Sequence, residues 1–502
     1  MSGRPAGEPP VGERPAPVPD GWRQAHLVGI GGAGMNGIAR LLLARGIGVS
    51  GSDLKESRAL EDLRAAGASV FVGHRRDQVG KPDVVVASSA IPDNNVELAE
   101  AQASGIPVLS RAEVLAALMR DKRAVAISGT HGKTTTTSMI SMMLSRLGLD
   151  PTFVIGGDLN EIGSGAGHGA GDIFVAEADE SDGSFLLYEP EIAVVTNVEE
   201  DHLDYFSGRD DIEAAFARFA ARAGSVVACW DDPGVRRAMA GYPRTLVRYG
   251  ASEDAEIVLR DEELLPGEGR ANVQVGEGRV RLVLPVPGRH NLLNGAASLG
   301  VARLLGLPLD EAAKALRSFG GVRRRFERRG EAAGATFVDD YAHHPSEVRA
   351  TLQAATLDAH RRIIVVFQPH RYTRTRAMWR ALGESLTEAD LVVLLDVYGA
   401  GEPPIPGVTG KLLVDALTEA APGKRVVYLP RRSDVVPFLA SEVRQGDLVL
   451  TLGAGDITMV GDATLDRLGV QRGSSNERSE AAADPLARRR SAEGGASRRR
   501  EE

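Results

Sequence analysis

The sequence predicts an α/β protein of about three domains, each built on a mainly parallel sheet. A chain of 502 residues is longer than one hydrophobic core supports. Apolar strand, glycine turn and helix succeed one another twice, at Ala25–Gly34 and at Ala124–Thr137. In the last third, four apolar runs each open into a polar loop, as strands do at the ligand edge of an open parallel sheet.

In chain order, Met1 to Asp20 is rich in Pro, Gly and charge and lacks the apolar core of a signal peptide, so 1–22 reads as a disordered tail. The first domain, 23–120, opens with the strand from Ala25. Gly29, Gly31 and Gly34 satisfy G-x-G-x-x-G, and a helix through Ile38–Leu43 ends at Gly46. Ile47 to Ser50 is a second strand leading to Asp53, about where a dinucleotide fold keeps its ribose-binding acid. That fingerprint reports a diphosphate at a helix N-terminus beside a ribose, so it fits a nicotinamide dinucleotide and a UDP-sugar equally. Asp83 to Ala90 is a buried strand opening onto Ser88 and Ser89, and Leu109 to Met119 is a helix closing the domain.

The second domain, 121–322, begins with the strand Ala124–Ile127 and the loop Gly129-Thr-His-Gly-Lys-Thr134. Met139, Ile140, Met143, Leu144 and Leu147 share one helix face, with Gly148 as the stop. This is a phosphate-binding loop, one glycine short because Ile127 takes the first position. Backbone amides and the helix N-terminus would surround phosphate, Lys133 would reach the outer phosphates, and the Thr134 hydroxyl would ligate magnesium. Asp172–Glu177 and Ile192–Asn197 are further strands. The first delivers Glu177, Asp179, Glu180 and Asp182, and the second leads to Asp201-His-Leu-Asp204. Hard-oxygen acids beside a phosphate loop suit magnesium, with Glu177 the chosen ligand; imidazole is a poor magnesium ligand, so His202 lacks a motive on chemistry alone. Ala251 to Leu284 alternates as antiparallel strands, and a helix follows Pro287 to about Leu305, where Asn291 and Asn294 share a face.

Gly320–Phe326 passes into the third domain, 323–471. Its strands are Ala335–Val338, Arg362–Phe367, Leu391–Asp396 and Asp447–Leu452. Six of the ten histidines fall in polar loops, including the pair His343–His344; adjacent residues seldom aim at one ion, so the pair is not read as a metal site. Arg371 and Arg374 suit a carboxylate or phosphate. From 472 to 502 the chain again reads as a disordered tail. A net charge of −9 argues against nucleic-acid binding, and no apolar run approaches the ~20 residues of a membrane span. One cysteine, Cys229, excludes an internal disulfide and fits a cytoplasmic protein.

These motifs together resemble the Mur ligase family. The resemblance rests on His26–Met35, Gly129–Thr137, Glu177–Asp182, Asp201–Asp204, His290–Asn294, Arg324–Phe326, Asp339–Pro345 and Gln368–Arg374, in order from about residue 25 to 460. It implies a Rossmann-like UDP-binding domain, a P-loop-type central ATPase and a dinucleotide-fold-like C-terminal domain. It also implies a reaction in which the carboxylate of UDP-N-acetylmuramate attacks the γ-phosphate of ATP, and the amine of L-alanine then displaces phosphate from the acyl phosphate. On that resemblance Lys133, Glu177, His202 and Arg371 are catalytic, and Thr134, Glu177 and His202 hold Mg2+. Gly129, Thr130, His131, Gly132, Lys133, Thr134, Thr135, Asn291, Asn294, Arg324, Arg325, Asp339 and Asp340 hold ATP. Gly31, Gly32, Ala33, Gly34, Ser88, Ser89, Tyr341, His343, His370, Arg371 and Arg374 hold the sugar nucleotide and alanine. A monomer or weak homodimer is expected. No lysine lies between Leu203 and Gly250, as the resemblance implies for an alanine-adding member. Asn36 and Ala342 depart from the family, which commonly has Ser and Gly there. A nicotinamide dehydrogenase would leave Lys133, Thr134 and the acidic strand ends unused. A P-loop switch would turn over ATP without an amino acid, and a ligase for a preformed tripeptide would differ only in the side-chain pocket.

Overall fold

Residues 21–88, 91–156, 165–203 and 205–469 are described by a computed structural model. Ser89, Asp204 and both tails lie outside the described residues, as does the side chain of Ala33. Three sheets account for the strands. The first is five-stranded and all parallel, in the order Ser69–Val72, Gly48–Asp53, Gln24–Val28, Val84–Ala87, Val108–Ser110. Val84, Val85 and Val86 are all buried, which is why that run shows no alternation. The expected helix from Leu109 starts later. Val108–Ser110 pairs with Val85–Ala87 as the fifth strand, and the helix Arg111–Met119 opens with a capping box in which Ser110 Oγ accepts from Glu113 N while Glu113 accepts from Ser110 N. Leu109 is apolar in either setting, so hydrophobicity alone misplaced the boundary.

The central sheet has ten strands. A parallel run through Ile257–Leu265, Thr245–Gly250, Ser225–Cys229, Ile192–Val195, Arg123–Ser128, Ile173–Glu177 and Thr152–Val154 is extended by antiparallel strands, Glu268–Val275 and Gly278–Leu284 at one edge and Ala166–Gly167 at the other. The accessory stretch is therefore an extension of the nucleotide-binding sheet. The third sheet has six strands, in the order Glu327–Ala332, Ala335–Asp340, Asp447–Leu452, Arg362–Phe367, Leu391–Leu394, Arg425–Tyr428, with only the first antiparallel. Separate apolar clusters cover its two faces.

The joints between these units differ in chemistry. One apolar cluster runs from the first sheet into the central unit, joining Leu27, Met35 and Leu42 to Val154, Ala166, Phe185 and Phe216. No buried apolar cluster among the described residues joins the central unit to the third in that way. There the contacts are polar: Arg374 with Asp201, Ser346 with Glu199, and His131 with Glu347.

Candidate functional site

The strand Arg123–Ser128 delivers its chain into the glycine loop from the middle of the central sheet. Gly129 has φ +139°, and a Cβ there would fall 2.0 Å from Thr196 Oγ1; Gly132 has φ +81°, with Asn294 Oδ1 2.9 Å from the same imaginary atom. Only glycine fits either position. The helix Lys133–Arg146 starts at Gly132 with no side-chain cap, so its first amides are open to an anion. Lys133 Nζ donates to Gly129 O at 2.7 Å and to both Glu180 carboxylate oxygens at 2.8 Å. Burial opposes the ammonium charge, but Glu180, Asp179 and Glu177 outweigh it and hold Lys133 protonated. Burial pushes the Glu180 carboxyl up, to about 7, against the pull of Lys133.

Thr134 Oγ1 donates to Glu177 Oε1 at 3.3 Å, and Glu177 Oε2 accepts from Gly156 N at 2.8 Å. A hydroxyl and a carboxylate at the end of the next strand form a hard-oxygen donor set that suits Mg2+. His202 stands at φ +52° with Nε2 3.7 Å from Glu180 Oε1 and from Asp201 Oδ2, while its Nδ1 is buried without a hydrogen-bond partner. Burial lowers its pKa.

The third unit closes this crevice. Arg374, 7% exposed, makes a bidentate pair with Asp201, Nε donating to Oδ1 at 3.0 Å and Nη2 to Oδ2 at 2.9 Å. Although buried, Asp201 is held well below the usual carboxylate range by Arg374 and His202. Arg371 sits at φ +68° with Nε 3.0 Å from Glu402 Oε1. Tyr341 carries the Arg324 and Arg325 guanidiniums over its ring at 4.9 and 5.1 Å, and packs edge-on against His343. His343 Nδ1 donates to Tyr341 O at 2.9 Å, and its ring meets that of His370 at 5.6 Å. Burial drives His343 down to about 3, and drives His370 and His290 to about 4, with Arg374 adding to the first two and Arg325 to the third. These imidazoles are neutral at pH 7.

Two cavities meet at His131. One, of about 1050 Å3, is lined by Gly34, Lys133, Thr134, Glu177, His202, Arg324, Tyr341, His343, His370, Arg371 and Arg374. The other, of about 230 Å3, is lined by Gly132, Thr135, His290, Asn291, Asn294, Phe319, Arg325 and Asp340. Thr130 braces the loop, its Oγ1 accepting from Glu199 N at 2.9 Å. Asn291 lies in the first turn of the helix Arg289–Leu304, whose N-cap is Gly288, and its side-chain amide donates to Pro287 O at 2.7 Å. In the first unit the turn is held by Ser52 O, which accepts from Gly29 N and Ile30 N, and by Asp53 Oδ2, which accepts from Gly31 N. Asp53 is thus part of the turn. Gly32 is the N-cap residue of the helix Ala33–Ala44. Ser88 lies at the end of Val84–Ala87, its N donating to Val28 O, and lines neither cavity.

Asp339 departs from expectation. It is fully buried, accepting from Thr451, Thr458 and Arg324, and faces neither cavity; Asp340 does. Alternation along a strand separates the two carboxylates. The adjacent histidines also part: His343 turns to Tyr341 and His370, His344 to His131 and Glu199. Ala342 is fully buried without a positive φ, so the loop needs no glycine there. Asn36 sits in the first helix, accepting from Arg40 and donating to Ala59 O.

Sequence reasoning passed over three residues. Arg111 reaches the crevice from the first unit, close enough to Gly34 that a Cβ there would lie 2.3 Å from its Nη1. Glu347 binds His131 Nδ1 at 3.2 Å and is held ionised by His343 and His131 despite its burial. Glu199 takes the Ser346 hydroxyl at 2.5 Å. The His344-Pro-Ser-Glu347 spacing of a capping box was the available signal for Glu347.

Three family models match this chain: Mur ligase family, catalytic domain, over residues 24–123; Mur ligase middle domain over 127–302; and Mur ligase, glutamate ligase domain, over 324–455. The chain is 48% identical over 454 residues to the UDP-N-acetylmuramate–L-alanine ligase of Pelotomaculum thermopropionicum, covering 89% of this chain and 98% of that one. It is 49% identical to the protein of the same name from Acidothermus cellulolyticus, covering 89% and 95%. Among solved structures, a UDP-N-acetylmuramate–alanine ligase from Thermotoga maritima superposes with a TM-score of 0.75 at 30% identity, covering 88% of this chain and 98% of that one.

Proposed function

On the premise that this chain belongs to the Mur ligase family, we propose that it joins L-alanine to the carboxylate of UDP-N-acetylmuramate at the expense of ATP, through an acyl phosphate, in peptidoglycan precursor synthesis. The observation that carries this reading is the single crevice in which an open P-loop, a hard-oxygen pair and a set of arginines and neutral imidazoles from another sheet face one another. The P-loop fits a nucleotide: its two obligate glycines and uncapped helix start leave amides for phosphate, and the smaller cavity beside Asn294 and Phe319 is apolar enough for a base.

Two anions must meet in this reaction, the sugar acid's carboxylate and the γ-phosphate. Lys133 offsets the charge that develops on the transferred group, releasing Glu180 as it does so. Thr134 and Glu177, with His202 beside them, would hold Mg2+, which would supply further charge neutralisation when bound. Arg324, Arg325 and Asp340 orient the nucleotide from the third unit. Arg371 takes the amino acid's carboxylate, and Tyr341, His343 and His370 wall off water from the acyl phosphate. Arg374 keeps the walls together through Asp201. The first unit holds the UDP diphosphate at Gly31, Gly32, Ala33 and Gly34, and Arg111 adds a positive charge beside that turn. With these substrates the protein acts in the cytoplasm, as a monomer or weak homodimer.

Phosphate release with UDP-N-acetylmuramate, ATP, Mg2+ and each of L-alanine, glycine, L-serine and a tripeptide tests the proposal. Release that needs both co-substrates and is fastest with L-alanine is expected; release without an amino acid, or only with the tripeptide, would sink it.

A further inference from the structure

A cluster of donors at the joint between the central and third units is given no chemical step in the reaction above, although His131 belongs to the phosphate loop. His131, Glu199 and His344 each offer one ligand atom, all within 4.8 Å of one another. Glu199 Oε2 lies 3.9 Å from His131 Nε2 and 3.8 Å from His344 Nδ1. Tetrahedral ligands on metal bonds of about 2.1 Å stand about 3.4 Å apart, so small side-chain rotations close these gaps.

The outer partners of the cluster are those a metal site uses. His131 Nδ1 is engaged by Glu347 Oε1 at 3.2 Å, and although burial opposes it, Glu347 and Glu199 raise the pKa of the ring, so a metal ion at Nε2, which faces Glu199, binds by displacing a proton. That Nε2 is buried and has no hydrogen-bond partner. A buried polar atom without a partner is uncommon in a folded protein, and here it points at a carboxylate too distant to satisfy it. Glu199 is steered by the Ser346 hydroxyl at 2.5 Å and by its own amide on Thr130 Oγ1. His344 Nδ1 accepts only a long 3.3 Å bond from Ser346 N, which a metal ion readily replaces.

We propose that His131, Glu199 and His344 form a transition-metal site, separate from the magnesium site, which binds Zn2+ or a cation of its class and clamps the third unit onto the P-loop. Two imidazoles and one carboxylate suit zinc, cobalt or nickel, whereas the Thr134–Glu177 oxygens suit magnesium. His131 and Glu199 belong to the central unit and His344 to the third, so the bound ion ties the two together and holds the crevice shut. Occupancy therefore arrests turnover.

Cobalt, whose four-coordinate form absorbs strongly in the visible, is the probe. The full chain is titrated with Co2+ in excess Mg2+, and Zn2+ is then added. One equivalent should produce the four-coordinate band and Zn2+ should remove it. His344→Ala should abolish the band, Glu347→Gln should weaken Co2+ binding about 10–100-fold, and His202→Ala should leave the band in place. Should His344→Ala fail to bind nucleotide and so prove misfolded, Glu199→Gln takes its place with the same expected loss. Zinc-edge anomalous scattering from soaked crystals should place the ion between the three side chains. No band in the unaltered protein, a band that survives both substitutions, or an anomalous peak only beside Glu177 and His202 overturns the proposal.

Discussion

Lys133 shows how much one side chain carries. Lys133→Ala removes the charge that faces the transferred phosphoryl group and also strands Glu180, 2% exposed, without its partner. Phosphate release should fall by roughly 10²-fold or more; retention of a tenth of the rate would contradict its role. His202→Ala should lower turnover far more than ATP affinity, and calorimetry with a non-hydrolysable analogue separates the two. The buried imidazoles give a pH signature. His290, His344 and His370 lie near 4 and His343 near 3 in the folded chain, each lowered chiefly by burial. An unfolded imidazole titrates near 6.5, so below that pH the unfolded state binds more protons and stability falls with acid. Each group contributes up to about 1.4 kcal/mol per pH unit in the window between 6.5 and its folded value. Denaturant midpoints should therefore drop steeply from pH 6.5 to 4, and a flat profile would show the rings to be solvated. Residue types were legible in the sequence wherever chemistry demands a type: a lysine and threonine after glycine, an acid at a strand end. Pairing was not, because Glu347 on His131 and Asp201 on Arg374 depend on how two distant loops meet.

Elements were legible where their pattern is local. The strand Arg123–Ser128, the helix Lys133–Arg146 and the antiparallel strands near 257–284 follow from apolar runs, glycine stops and alternation. Arg425–Tyr428 was missed because it is a short, half-buried sheet edge with little apolar contrast. The facing of Asp339 and Asp340 was also beyond reach, since a strand's two sides cannot be told apart before its neighbours are known. The glycine loop gives the sharpest test at this scale. Gly129→Ala puts a methyl into Thr196 and forces a positive φ, so it should destabilise by more than the roughly 1–3 kcal/mol of backbone strain alone. Thermal unfolding with and without ATP reports both losses; an unchanged midpoint would mean that the loop relaxes freely.

At the scale of the molecule, the third unit meets the crevice through charges and hydrogen bonds, and ligands that bridge the walls add to them. Scattering should show the radius of gyration falling when UDP-N-acetylmuramate and an ATP analogue are added together, because the acyl phosphate must be kept dry. Arg374→Ala should leave the ligand-free chain more extended; identical dimensions would assign the seating of the third unit to other contacts. The continuous apolar cluster from Leu27 to Phe216 has the opposite effect at the other joint. Severing the polypeptide near residue 120 would expose a greasy scar on both pieces and invite aggregation. Severing it near 322 leaves surfaces that water already tolerates. The chain is in this sense one two-sheet body carrying a detachable arm.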